Sequence, residues 1–215
     1  MTTRMIYVVG AGGQAREVRA IVNRLDPAGK RWTFAGYVER DARLVGTAVG
    51  DGEVVAAQDE LIEREADFVV GIGSPEVRRR VVRELSSAPG LVSATLVHPE
   101  AVLDGVVEIG EGTVVAAGAV VTVDVTIGRY CLVNFAASLG HDVVVGDFCT
   151  VNPQAAVSGG VVLGPGSLVG AGAVVLEGRR VGSGAVVGAG AVVTRDVPEG
   201  ETVVGTPARK LLRPS

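Results

Sequence analysis

Aromatic residues make up only 4% of this 215-residue chain, and an ordinary globular core relies on such large side chains. No apolar run approaches the about 18 residues needed to span a bilayer. An N-terminal stretch with a basic flank, an apolar centre and a small-residue cleavage site is also missing, so a soluble, cytoplasmic protein is expected. Basic runs are absent and the formal net charge is −4, which leaves no electrostatic footprint for nucleic acid. Cys131 and Cys149 stand far from any CxxC spacing and read as buried apolar fillers. A zinc enzyme on three histidines is excluded, because the chain has His98 and His141 and no third; no metal is expected.

What the chain has in quantity is glycine, 31 residues of it, and a period of six. Stepping by six from Val97 through Val193, every residue is Val, Leu or Ile, and Glu199 breaks the series. Four residues after each, the side chain is usually small, as at Thr113, Ala119, Cys131, Ala137, Cys149 and Ala155; Arg179 is the exception and is expected to mark a local bulge. A helix needs a period near 3.6 and a half-buried strand a period of 2. Six fits a short strand plus a corner, repeated, with one aliphatic residue per side facing a solenoid core. These residues resemble the hexapeptide repeat [LIV]-[GAED]-x-x-[STAV]-x of left-handed parallel β-helix proteins, over about residues 97–197. That resemblance implies three hexapeptides, 18 residues, per triangular coil. Residues 18 apart then stack at about the 4.8 Å strand spacing. Cys131 stacks on Cys149, Asn134 on Asn152, and Asp124 on Asp142, the last pair needing a reason because like charges repel.

The N-terminal third reads differently. MIYVVG is a buried strand, and GAGGQAREVRAIVNRL is a Gly-rich turn opening a helix. Gly10, Gly12 and Gly13, then Gln14 and Ala15, come close to G-x-G-x-x-A, which either welcomes a phosphate at a helix N-terminus or is a tight connection without a ligand. WTFAGYVE is a second strand ending at Glu39, where an acid commonly meets a ribose or base edge, followed by Arg40. FVVGIG is a third strand, and Gly73 and Ser74 precede a helix with Pro75 at its first position. This Rossmann-like βαβ unit, residues 1–92, is half the size of a full dinucleotide-binding domain, so NAD chemistry is disfavoured. An α/β unit followed by an all-β left-handed parallel β-helix, residues 93–215, is the expected architecture.

Apart from His98 at their very start, the repeats hold His141 as the one histidine, the side-chain type that titrates near neutrality. As the third residue of LGHDVV it should project from a corner, either as a solvated histidine or as a base oriented by Asp142. The order of GAGGQA, GYVER, GIGSPE, NFAASLGHD and GTPARK along nearly the whole chain resembles the nucleotide-sugar N-acetyltransferases that acetylate a 4-amino sugar, with the related sialic-acid O-acetyltransferases. That resemblance implies His141 as general base, Asp142 as its partner, and Asn134 as a residue positioning the acceptor. It further implies a nucleotide-linked amino sugar bound near Gly10, Gly12, Gly13, Gln14, Glu39, Arg40, Gly73 and Ser74. Acetyl-CoA is the implied co-substrate, lying between neighbouring β-helices of a homotrimer beside Thr150, Ala171 and Ala189, with Arg209 and Lys210 near its phosphates. Gln14 stands where relatives usually have His, and Glu39-Arg40 replaces paired acids, so the nucleotide and the sugar stay open. O-acetylation of a sugar hydroxyl and a non-catalytic binding role are the alternatives.

Overall fold

The computed structural model describes residues 3–211; residues 1–2 and 212–215, the ends of the two expected domains, lie outside the described residues. The chain divides into two compact units, Met1–Leu96 and Val97–Ser215, four residues beyond the expected boundary.

The first unit is built on β1 (Arg4–Val9), whose residues from Ile6 onward are buried, as a strand covered on both faces requires. Helix α1 (Gly13–Leu25) buries Ala15, Val18, Ile21 and Val22, one apolar stripe at helical spacing. Then come β2 (Trp32–Glu39), β3 (Ala48–Val49), β4 (Gly52–Ala57), the short α2 (Gln58–Leu61), β5 (Ala66–Val70), α3 (Pro75–Leu85) and β6 (Leu91–Ser93). The sheet order is β3-β4-β2-β1-β5-β6, with β3 antiparallel to β4 and every other pair parallel. Three of these strands escape a sequence reading: β3 and β6 are too short to show a period, and β4 belongs to a hairpin closed at Gly50 and Asp51. From β1 the chain builds outward through β2 and β4, then crosses to β5 on the other side of β1. That reversal creates a crevice beyond the carboxyl ends of β1 and β5, the usual ligand position in open α/β sheets.

The second unit is the left-handed parallel β-helix. Its first face stacks Val114–Val115, Leu132–Val133, Thr150–Val151, Leu168–Val169, Val186–Val187 and Thr202–Val204. The second stacks six two-residue strands from Val102–Leu103 to Val192–Val193, and the third five from Val107–Ile109 to Arg180–Val181. Pairing advances by 18 residues at each step, as in Leu139↔Val157↔Val175, until the last coil, where Val187↔Val203 advances by 16. The last residue of each strand points inward and is almost wholly buried from Val115 to Val193. Burying each such aliphatic side chain contributes about 1.5–3 kcal/mol before entropy.

Cys131 and Cys149 are free thiols buried in this core. The Cys131 Sγ donates to Gly146 O at 3.1 Å, and the Cys149 Sγ to Gly164 O at 3.1 Å. Arg179 makes no bulge, contrary to expectation: the ladder runs through it as Leu163↔Val181, and its guanidinium reaches outward to Glu177 O and Asp196. A long side chain leaves this core by its own length, with no change of backbone register.

Every corner from 112 to 190 turns through a left-handed residue, the fourth of its hexapeptide. Gly occupies 112 and 118, and again each such position from 160 to 190. Between them six successive corners use Asp124, Tyr130, Ala136, Asp142, Phe148 and Gln154, with φ between 53° and 61°. Each bears a steric cost that Gly would avoid, about 1–2 kcal/mol. The expected stacking of Asp124 on Asp142 thus has a conformational basis, since short polar side chains tolerate this region best.

Candidate active site

His141 sits at the corner between the second and third faces, held by its own backbone: its carbonyl accepts from Gly160 N at 2.8 Å. The side chain is 57% exposed, so the imidazole stands in solvent reach beside a closed core. Its Nδ1 lies 2.8 Å from Asp142 Oδ2. An ionised carboxylate only accepts, so Nδ1 carries the hydrogen and Nε2 keeps its lone pair. The hydrogen bond to Asp142 holds the His141 pKa above the usual 6.5; desolvation opposes that rise, and the charges of Asp142 and Glu177 add smaller contributions to it. Below the imidazole, one coil on, lies Gly159. A Cβ there would collide with the His141 ring, 2.5 Å from Cε1. The residue therefore provides the space in which the ring lies, a role that nothing in the hexapeptide pattern signals.

Asn134 belongs to a different edge, the corner between the first and second faces. It is 4% exposed, and its Nδ2 donates to Asn152 Oδ1 at 3.4 Å. Thr150 lies buried on the first face, and Ala171 and Ala189 are exposed on successive coils of the same corner as Asn134. Arg209–Lys210 pairs antiparallel with the last strand of the first face, with both side chains exposed. Lys210 Nζ forms an ion pair with Glu201 Oε1 at 2.6 Å. The candidate residues of the second unit thus fall in two separate groups. One is the His141–Asp142–Gly159 corner, and the other runs along the first face and the corner after it.

In the first unit the glycine turn and the loop after β5 meet. Gly10, at φ 101°, leaves no room for a side chain: a Cβ would stand 3.0 Å from Ile72 Cγ1 and 3.1 Å from Gly71 O. Gly73 follows, and Ser74 Oγ caps α3 by accepting from Val77 N at 3.4 Å. A cavity of 520 Å³ opens beside this turn, lined among others by Gly12, Gly13, Arg16, Glu39 and Thr47. Glu39 Oε1 accepts from Ala11 N at 2.8 Å, so a carboxylate already occupies the second N–H of the glycine turn, the first, on Gly10, being taken by Val38 O. A phosphate meets that carboxylate's charge there, whereas a ribose or base N–H or O–H finds an acceptor. Gln14 is half-buried in the first turn of α1 and does not line this cavity. Arg40 faces a second cavity, of 350 Å³, with Gln58, Asp59 and Glu84. Among the described residues no group of three or more His, Cys, Asp or Glu is placed to hold a metal, and no helix is long and apolar enough to cross a membrane.

Two family models match the chain: the PglD N-terminal domain over residues 5–85, and the bacterial transferase hexapeptide (six repeats) over residues 160–195. With the solenoid and its histidine corner, they define an acyltransferase of the hexapeptide-repeat class. Among solved structures, the acetyltransferase domain of PglB from Neisseria gonorrhoeae FA1090 is 32% identical at a TM-score of 0.86, covering 97% of this chain and 100% of that one. WeeI from Acinetobacter baumannii AYE is also 32% identical, with 96% and 100% covered and a TM-score of 0.86. PerB from Caulobacter crescentus, solved with CoA and GDP-perosamine, is 29% identical, with 96% of each chain covered and a TM-score of 0.83. The chain belongs to the PglD-like nucleotide-sugar N-acetyltransferases. No curated protein matches it.

Proposed function

We propose that this protein transfers the acetyl group of acetyl-CoA to the amino group of a nucleotide-linked 4-amino-deoxy sugar. The observation that carries the reading is the exposed His141–Asp142 pair, on a chain similar over nearly its whole length to acetyltransferases, one of them solved with acetyl-CoA and one with CoA and GDP-perosamine. The neutral amine attacks the thioester carbon, the N–H proton passes to His141 Nε2, and the tetrahedral species collapses with loss of CoA thiolate. Asp142 fixes the tautomer and stabilises the imidazolium that forms. Both thiols are buried in the core, so the transfer is direct, with no acyl-enzyme intermediate.

We read these two groups as half-sites: they lie on different edges of one solenoid, an arrangement that favours their meeting across two copies of the chain. This supports a homotrimer with acetyl-CoA in the groove between neighbouring solenoids, along the exposed Ala171 and Ala189 of one subunit, with Arg209 and Lys210 toward the CoA phosphates; Thr150, expected beside it, is buried within its own subunit and backs that groove from inside. Asn134 joins that half-site and positions the acceptor at the His141 of a neighbour. The N-terminal unit, through Gly10, Gly12, Gly13, Gln14, Glu39, Arg40, Gly73 and Ser74, holds the nucleotide part of the acceptor. Glu39 supports base or ribose recognition better than phosphate binding.

The test is thiol release from acetyl-CoA with UDP-, dTDP- and GDP-linked 4-amino sugars, alongside His141→Ala. One sugar should react quickly, and the variant should lose several hundredfold or more. Reaction with a sugar hydroxyl and with no amine would replace N- by O-acetylation.

A further inference from the structure

Helix α3 turns Pro75, Arg78, Val81, Val82 and Leu85 inward. An arginine in such a stripe is out of pattern, and at 1% exposure Arg78 is the largest fully buried side chain in the structure. Burying a guanidinium costs several kcal/mol unless its donors are satisfied. Here Nη1 donates to two successive carbonyls of the loop between β5 and α3: Ile72 O at 2.7 Å and Gly73 O at 3.1 Å.

That loop forms one wall of the crevice at the point where the sheet order reverses. Its residues also press on the opposite wall. Gly71 N donates to Val9 O at 2.8 Å, and Gly71 lies so close to Ala15 that a Cβ would meet its Cα at 2.5 Å. Ile72 packs against Gly10. Across a planar trans peptide the carbonyl and the following N–H point in opposite directions. By pulling the carbonyls of residues 72 and 73 toward itself, Arg78 turns the N–H groups of Gly73 and Ser74 away from the helix interior. A neutral side chain of similar length fills the same volume but cannot impose that orientation.

We infer that Arg78 is a positioning residue for the nucleotide part of the acceptor, acting through the Ile72–Ser74 backbone. This rests on the reading that the N-terminal unit binds the nucleotide. The buried cation sets the backbone geometry of one wall of the crevice, and through Ile72 and Gly71 it keeps the glycine turn in place. Its removal should therefore affect one substrate and spare the other.

The experiment uses the full-length protein with Arg78→Met and Arg78→Lys. UDP, GDP and dTDP are titrated calorimetrically, acetyl-CoA is titrated separately, and melting is recorded for each variant. For whichever nucleotide the wild type binds, Arg78→Met should raise Kd tenfold or more while the Kd of acetyl-CoA stays within twofold. Arg78→Lys should recover part of that loss, since an ammonium can donate to both carbonyls from one nitrogen, as Nη1 does, but its stem is one atom shorter. In turnover, the KM for the amino sugar should rise with little change in kcat. If Arg78→Met does not fold, Arg78→Lys decides alone by the same nucleotide-to-acetyl-CoA comparison. An unchanged nucleotide Kd beside a lowered melting temperature overturns the inference and leaves Arg78 a structural brace. A wild type that binds none of the three nucleotides overturns the parent reading, an outcome visible before any variant is compared.

Discussion

Gly159 lies one coil beneath His141, and any side chain there would occupy the space of the imidazole ring. The two residues are 18 apart in sequence and act as one piece of the site. Gly159→Ala should therefore displace the ring without disturbing the aliphatic core. We expect kcat to fall about 10²-fold, toward the loss of the base itself, with melting little changed. Steady-state kinetics beside a melting curve checks this, and an active, stable Gly159→Ala enzyme would show that the ring has other room.

The Asp142 contact raises the His141 pKa, so the imidazolium persists to higher pH and the free base appears later. The acid limb of kcat/KM should accordingly lie above pH 6.5. Asp142→Asn removes the largest cause of the rise, and the limb should move down toward 6.5 as kcat falls. A pH–rate profile of both proteins decides the matter, and a limb that stays in place would separate Asp142 from the titration.

Half-sites on different edges make a complementation test decisive. His141→Ala and Asn134→Ala should each be nearly inactive alone. Subunits mixed by unfolding and reassembly should regain roughly one quarter of wild-type activity, because in a cyclic trimer that fraction of interfaces pairs two intact halves. No recovery would place both residues in a site within one subunit.

Leu139 faces inward two residues before His141 and is fully buried. Leu139→Ala should cost about 2–5 kcal/mol in urea unfolding, and the thiols of Cys131 and Cys149, unreactive in the native state, should label with DTNB as the solenoid opens. Rapid labelling of the native wild type would contradict their burial.

Much of the second unit was legible in the sequence because its period is its structure. One inward aliphatic per side yields the register, and the register predicts the Asn134–Asn152 contact and the thiol column. Arg179 misled because a pattern of small residues measures the volume near the backbone, while an arginine carries its charge out of it. Gly159 stayed hidden for a related reason: among 31 glycines, one that makes room for a side chain 18 residues earlier looks like the others. In the first unit β1, α1 and α3 followed from apolar runs and capping residues. Strands β3 and β6 had too few residues to show an alternation, and neither Glu39 on Ala11 nor Arg78 on the loop before its helix leaves any trace in spacing.

The six left-handed corners without glycine, Asp124 to Gln154, span two coils, and those are the coils that contain His141. The solenoid can be seen as a plain tower in which two storeys are furnished at the expense of their own strength. Ala136→Gly should relieve strain and raise stability by up to about 1 kcal/mol, whereas Ala137→Gly, one residue on and buried, should lower it. Because each coil of a solenoid leans only on its neighbours, these two coils should open before the glycine-cornered ones that follow, in the part of the solenoid where the proposed base stands.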